Sequence, residues 1–259
     1  MSWAMRRRAL YILGLFVFFS LLIGVPTIIL LHKPSTCFDG IQNQGETSRD
    51  HGGPCLLLDG SSITPHAILW ARSFVIRPAY YDTVAYIENP NDGAGIEKVG
   101  YRFGLYDSEN VLVAERTGTT YVMPGGVTPV FEGAISSGNR VVTHTTFQFT
   151  DALIWERMQS FTHKLFINNK VVSEISSTPR LSADVTNTSV ADLRDIEFVA
   201  VIFDPAGNAF ASSATALTRL NAGDKQQIVF TWPTSFTTAI GRIDVVARHA
   251  PRSGTVPIK

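Results

Sequence analysis

The side chains best suited to chemistry lie in one short stretch. Between Cys37 and Cys55 the chain carries Asp39, Asn43, Glu46 and Asp50, set among Gly, Gln, Thr and Ser. Carboxylate and amide oxygens are hard ligands of the kind Ca²⁺ takes, although the spacing is not that of an EF-hand. The same residues serve equally well in a solvated turn, where Asx side chains bond their own backbone. The stretch is nearly empty of apolar residues and has no core of its own. A Cys37–Cys55 disulfide would close the loop and lower its unfolded-state entropy, worth roughly 3 kcal/mol. An oxidising compartment permits such a bond.

Little else in the chain points to catalysis. No HExxH, CxxC, GxSxG or phosphate-binding loop occurs, and the six histidines are scattered. No serine sits in a nucleophile context, so no catalytic residue is assigned and no enzyme is expected. Tyr80-Tyr81 follows Arg77-Pro78 in a predicted loop and offers a partner-binding surface. The alternative is that one ring packs beneath the loop. Asn187-Thr188-Ser189 is formally a glycosylation sequon, and a turn at Asn187 explains it as well. Lys+Arg and Asp+Glu are 22 each, so no net basic field draws nucleic acid.

These residues depend on two kinds of element. The first is apolar: Ala9–Leu31 holds no charge. As a helix it would reach about 34 Å, enough to cross a hydrocarbon core of about 30 Å. Arg6, Arg7 and Arg8 precede it, and only His32 and Lys33 follow. The heavier positive cluster keeps residues 1–8 in the cytoplasm and sends the remainder outward. A cleaved signal peptide would have a shorter apolar core and a small-x-small site, so an uncleaved, single-pass plasma-membrane anchor is expected, with the lipid bilayer as its partner.

The second kind is β-strand. The chain has 259 residues, 45% of them apolar and only 17% charged. In Val99–Asp107 apolar residues alternate with Gly and Arg, and in Asp195–Asp204 Ile196, Phe198, Ala200 and Ile202 share a face. Further strands are predicted at Val84–Glu88, Val111–Val113, Val130–Gly133, Val141–Phe149, Leu181–Thr186, Gln227–Trp232 and Arg242–Ala247. Asp151–Met158 is predicted as a short helix, with Trp155 packed where two halves join. Val84–Asn89 lines up with Ser182–Asn187, Phe103–Asp107 with Ala200–Asp204, and Met123–Gly126 with Leu220–Gly223. A repeat of roughly 100 residues with frequent turns is what tandem immunoglobulin-like sandwiches produce. The expected fold class is mainly β: one transmembrane helix, a juxtamembrane spacer at 32–62, then antiparallel sandwiches at 63–160 and 161–259.

Phe103-Gly104-Leu105-Tyr106-Asp107 and its flanking strand order resemble the FxLYD family of extracytoplasmic β-sandwich domains, and Ile202-Phe203-Asp204 is similar to the end of that signature. The resemblance implies a sandwich and a turn opened by Asp107, with no chemistry. The stretch from Cys37 to Cys55 resembles a cysteine-bounded CxDGxxNxxE…DCGGxC module of bacterial surface proteins. It departs from that pattern at His51, where a second disulfide would need cysteine. The layout is similar to anchored proteins of small-genome bacteria, a resemblance that carries over no activity. The function expected is binding or scaffolding toward a protein or glycan of the cell envelope. The alternatives are a structural stalk, or an accessory subunit whose metal or ligand site forms only in the fold.

Overall fold

The computed structural model describes residues 3–31, 35–159 and 164–250. His32, Lys33 and the boundary expected at 160/161 lie outside these residues. Two compact units emerge, residues 1–54 and 55–259.

In the first unit the helix α1 runs from Trp3 to Leu31. It begins earlier than the apolar run, so Arg6–Arg8 are helical too. From Leu10 to Ile28 its large apolar side chains are exposed. A helix apolar all round, with nothing packed on it, is long and apolar enough to span a membrane. Pro26 lies inside it, and Thr27 Oγ1 donates to the Ile23 carbonyl at 2.6 Å. Residues 35–54 are turns and bends. Gly40, Gln44, Gly45, Asp50, Gly52 and Gly53 take positive φ. Gly53 leaves no room for a Cβ, which would lie 2.8 Å from the Gly45 carbonyl oxygen. Cys37 and Cys55 are disulfide-bonded.

The second unit is mainly β. Strands β1 (Ala67–Arg77), β2 (Tyr80–Asn89), β3 (Ala94–Tyr106), β4 (Leu112–Val122), β5 (Gly126–Ser136) and β6 (His144–Phe149) form two antiparallel sheets, ordered β1-β2-β5 and β4-β3-β6. A short β7 (Glu156–Arg157) pairs with the start of β3. Strands β8 (Leu165–Ser173), β9 (Arg180–Asn187), β10 (Leu193–Phe203), β11 (Ala209–Leu220), β12 (Lys225–Thr231) and β13 (Arg242–Arg248) form two more, ordered β12-β9-β8 and β11-β10-β13.

Each pair of sheets encloses a core. Ile87, Ile96, Phe103 and Leu105 fill the first; Leu181, Ile196, Phe198, Ile202 and Phe230 fill the second. A third cluster joins the two sandwiches. Phe74, Val84 and Tyr86 meet Val199, Val201 and Phe203, with the Trp70 and Tyr86 ring centres 4.3 Å apart and tilted at 31°. The alternation along β10 explains this. Ile196, Phe198, Ala200 and Ile202 face their own core, while Val199, Val201 and Phe203 face the other sandwich. A fully buried side chain of this size stabilises by about 1.5–3 kcal/mol, so six of them make a firm joint.

Every predicted strand coincides at least in part with an observed one; β1, β7, β8 and β11 were not predicted. Asp151–Met158 is not a helix. Its backbone pairs across the chain instead: Leu58 N–H donates to the Trp155 carbonyl, Arg157 N–H to Leu56, and Met158 N–H to Gly93. Asp151 is drawn out of the N-cap role, because its carboxylate accepts the Gly100 N–H at 2.8 Å. Trp155 lies in the first core.

Candidate binding groove

Two asparagines at strand ends, Asn89 on β2 and Asn187 on β9, organise the β unit. Asn89, fully buried, donates from Nδ2 to the carbonyls of Ala94 and Met123, and its Oδ1 accepts from Asn91 N–H. Asn187, also fully buried, donates to Ala191, Leu220 and Asn221 carbonyls and accepts from Ser189 N–H. Their shared role satisfies buried carbonyls that would otherwise be stranded. The aspartates of the aromatic-Asp ends behave alike. Asp107 accepts from the N–H groups of Glu109 and Val111, and Asp204 from Asn208 N–H. The Val111 N–H bond, helped by Arg140, lowers the Asp107 pKa; the Asn208 bonds lower that of Asp204.

The candidate calcium ligands lie close together, but their lone pairs are directed at the loop itself. Asp39 accepts from Ile41 N–H, Thr36 N–H and Asn43 Nδ2. Glu46 accepts from the N–H groups of Asn43 and Asp50, and Asp50 from Gly40 N–H. Asn43 Oδ1 is buried without a hydrogen-bond partner. The grouping of potential metal ligands among the described residues is Cys37, Glu46 and Cys55. Since its sulfurs belong to the disulfide, neither is a thiolate.

Tyr80 and Tyr81 are not in a loop. They open β2, and strand alternation sends them to opposite faces. Tyr81 is buried, its hydroxyl accepting the Val142 N–H at 3.1 Å. Tyr80 is half-buried, with the Arg77 guanidinium 3.9 Å from its ring centre. The pair therefore offers one partly covered ring and no joint surface.

Concave surface occurs where the sandwiches meet. One groove of about 640 Å³ takes Glu97, Tyr121 and Glu156 from the first sandwich and Arg194 and Asp195 from the second. Its charges are of both signs. Burial, reinforced by the charge of Glu97, pushes the Glu156 pKa up, and Glu156 Oε2 has no hydrogen-bond partner. Nearby, buried Arg248 donates to Thr120 Oγ1 at 2.8 Å, pairs with Glu197 at 3.2 Å, and stands over the Tyr121 ring. A second cleft lies along β1. It comprises adjoining cavities of about 670 and 190 Å³ that share Phe74, Val75 and Phe210. None of these groove residues stood out in the sequence. Their one legible signal was the second apolar face of β10.

No family model matches the chain, and no curated protein matches it. Solved structures match weakly. They include a red sea bream transglutaminase (9% identity, TM-score 0.25) and a Bacteroides uniformis β-glucuronidase (14% identity, TM-score 0.20). The match covers 71% and 60% of this chain but only 29% and 22% of those proteins. A structure titled pT26-6p is 7% identical with TM-score 0.22, covering 71% of this chain and 61% of that one. These scores carry no argument about fold or function.

Proposed function

We propose that this is a single-pass membrane protein, anchored by α1 with its N-terminus in the cytoplasm, that presents a double β-sandwich outside the cell and acts by binding and scaffolding. The observation that carries the reading is the helix: its apolar side chains are exposed on every side, and only lipid would cover them at no cost. The disulfide supports an oxidising exterior, and Arg6–Arg8 support the orientation. The two sandwiches are read as copies of one FxLYD-like unit. Matched sheet orders, the buried Asn89 and Asn187, and the capping Asp107 and Asp204 support that.

Binding is favoured over catalysis because Asp39, Glu46, Asp50, Asp107 and Asp204 are spent on backbone N–H groups. The firm joint between sandwiches suits presentation of one fixed surface. The test is cross-linking of the native protein in cells, with fractionation and protease protection. Capture of a distinct envelope component, with the intact chain in the membrane fraction and residues 35–259 open to external protease, supports the proposal. Recovery of the intact chain from the soluble cytosol, or cross-links to itself alone, would overturn it.

A further inference from the structure

We propose that the cleft along β1 is a binding site for an anionic oligosaccharide. This rests on the binding reading above and deepens it by naming a site and a ligand class. The larger cavity, about 670 Å³, falls within the roughly 300–1,000 Å³ of ligand sites. Its walls come from β1 and β6 of one sandwich and the start of β11 in the other. The smaller cavity continues it beneath the loop at residues 233–238.

Charge and chemistry narrow the occupant. No carboxylate lines either cavity, whereas the groove around Glu97 holds three. Arg72 lines the cleft, is exposed, and has no salt-bridge partner among the described residues. Its register opposite Val84 turns it toward the second sandwich, as Phe74 is turned. His144, stacked 4.8 Å from Tyr106, stands at the same rim. A guanidinium with no salt-bridge partner among the described residues suits a carboxylate or phosphate. The remaining polar lining is almost wholly Ser and Thr, groups that donate and accept as sugar hydroxyls do. Ser212 is the clearest case: its residue is 1% exposed, its Oγ has no hydrogen-bond partner, and it lines the inner cavity. Phe210 and Phe236, 5.3 Å apart and half-buried, supply the apolar wall for a sugar ring face.

An extended acidic peptide fits less well. It would add as a strand to a sheet edge through backbone bonds and would make little use of the Ser and Thr hydroxyls and the Phe210–Phe236 pair that line the cleft.

The test uses the full chain in phosphatidylcholine nanodiscs and calorimetric titration with tetragalacturonate, its neutral counterpart maltotetraose, and hexaglutamate. Tetragalacturonate should bind at least tenfold tighter than maltotetraose. Arg72→Met should weaken it tenfold or more, and Phe210→Ala should weaken it with the circular dichroism spectrum unchanged. The proposal is overturned by absent tetragalacturonate binding, by binding indifferent to Arg72→Met, or by hexaglutamate binding as tightly with the same dependence on Arg72. Failure here, alongside capture of a protein partner in cells, would leave the anchored-binder reading standing. Soluble cytosolic protein would sink that reading without touching this measurement.

Discussion

Asn89 and Asn187 show how a single amide specifies a fold. Each bonds at least two backbone carbonyls near the end of its strand, and each is wholly buried. Alanine at either position strands those carbonyls and should cost roughly 2–4 kcal/mol. A lowered urea midpoint with an unchanged slope would register it. The sequon at Asn187 should stay unmodified in folded protein, since Nδ2 is enclosed. Asp204 works in the open, where solvent screens it, so only the sign of its pH effect is predicted. Its folded pKa lies below the ordinary carboxylate value of about 4. Its stabilisation is therefore fully present above that value and is lost as pH falls through the lowered one. Asp204→Asn should flatten part of the acid-unfolding limb below about pH 4, read by fluorescence at stepped pH. In the loop, the carboxylates of Asp39, Glu46 and Asp50 already serve backbone N–H groups. Millimolar Ca²⁺ is accordingly expected to leave the amide NMR shifts of residues 38–54 unmoved; saturable shifts there would support calcium binding.

At the scale of elements, three kinds of order are at work. Helix α1 is ordered by its own hydrogen bonds and needs only a solvent that accepts apolar side chains. A charge at its centre costs about 2.5–3.5 kcal/mol on insertion scales. Phe16→Arg combined with Phe19→Arg should thus abolish stable insertion, seen as loss of the chain from carbonate-washed membranes. The loop at 38–54 is ordered by the disulfide and by turns. Reduction should release it at a cost of roughly 3 kcal/mol, while the strands keep their circular dichroism. Strands are ordered by pairing, and their edges by closure. On β8 a register shift between Asn168 and Val171 lets Lys170 reach across to the Ile243 carbonyl at 2.8 Å. A lysine and a bulge are common defences of an edge strand against adding another chain.

Across the double sandwich, the joint decides the behaviour. Val84, Tyr86, Val199, Val201 and Phe203 are buried against one another between the facing sheets, and Arg248 is held by Thr120, Tyr121 and Glu197. Two sandwiches so coupled should unfold in one calorimetric transition. Val201→Lys buries a charge without a partner and should split that transition in two. A wild-type protein with two separate transitions would show the joint to be weak. The cleft proposed to bind saccharide exists only because of this arrangement: its walls belong to different sandwiches.

The sequence by itself determined the parts whose physics is local. An uncharged apolar run of this length forms a helix apolar enough to cross a membrane. Two-residue alternation set β3 and the inward face of β10, and Asp204-Pro205-Ala206-Gly207 set a turn. Tertiary structure decided the rest, since the information lies in pairing across distance. β8 and β11 interrupt their apolar residues with Asn, Lys, Ser, Thr and Arg, and become strands through partners on β9 and β10. Residues 151–158 carry a capping aspartate and helix formers, yet their backbone is claimed by residues 56–58 and 93. Tyr80 and Tyr81, adjacent in sequence, part to opposite faces because a strand places them so. The valines of β10 read as one apolar run, and only the second sandwich shows that alternate members serve different cores.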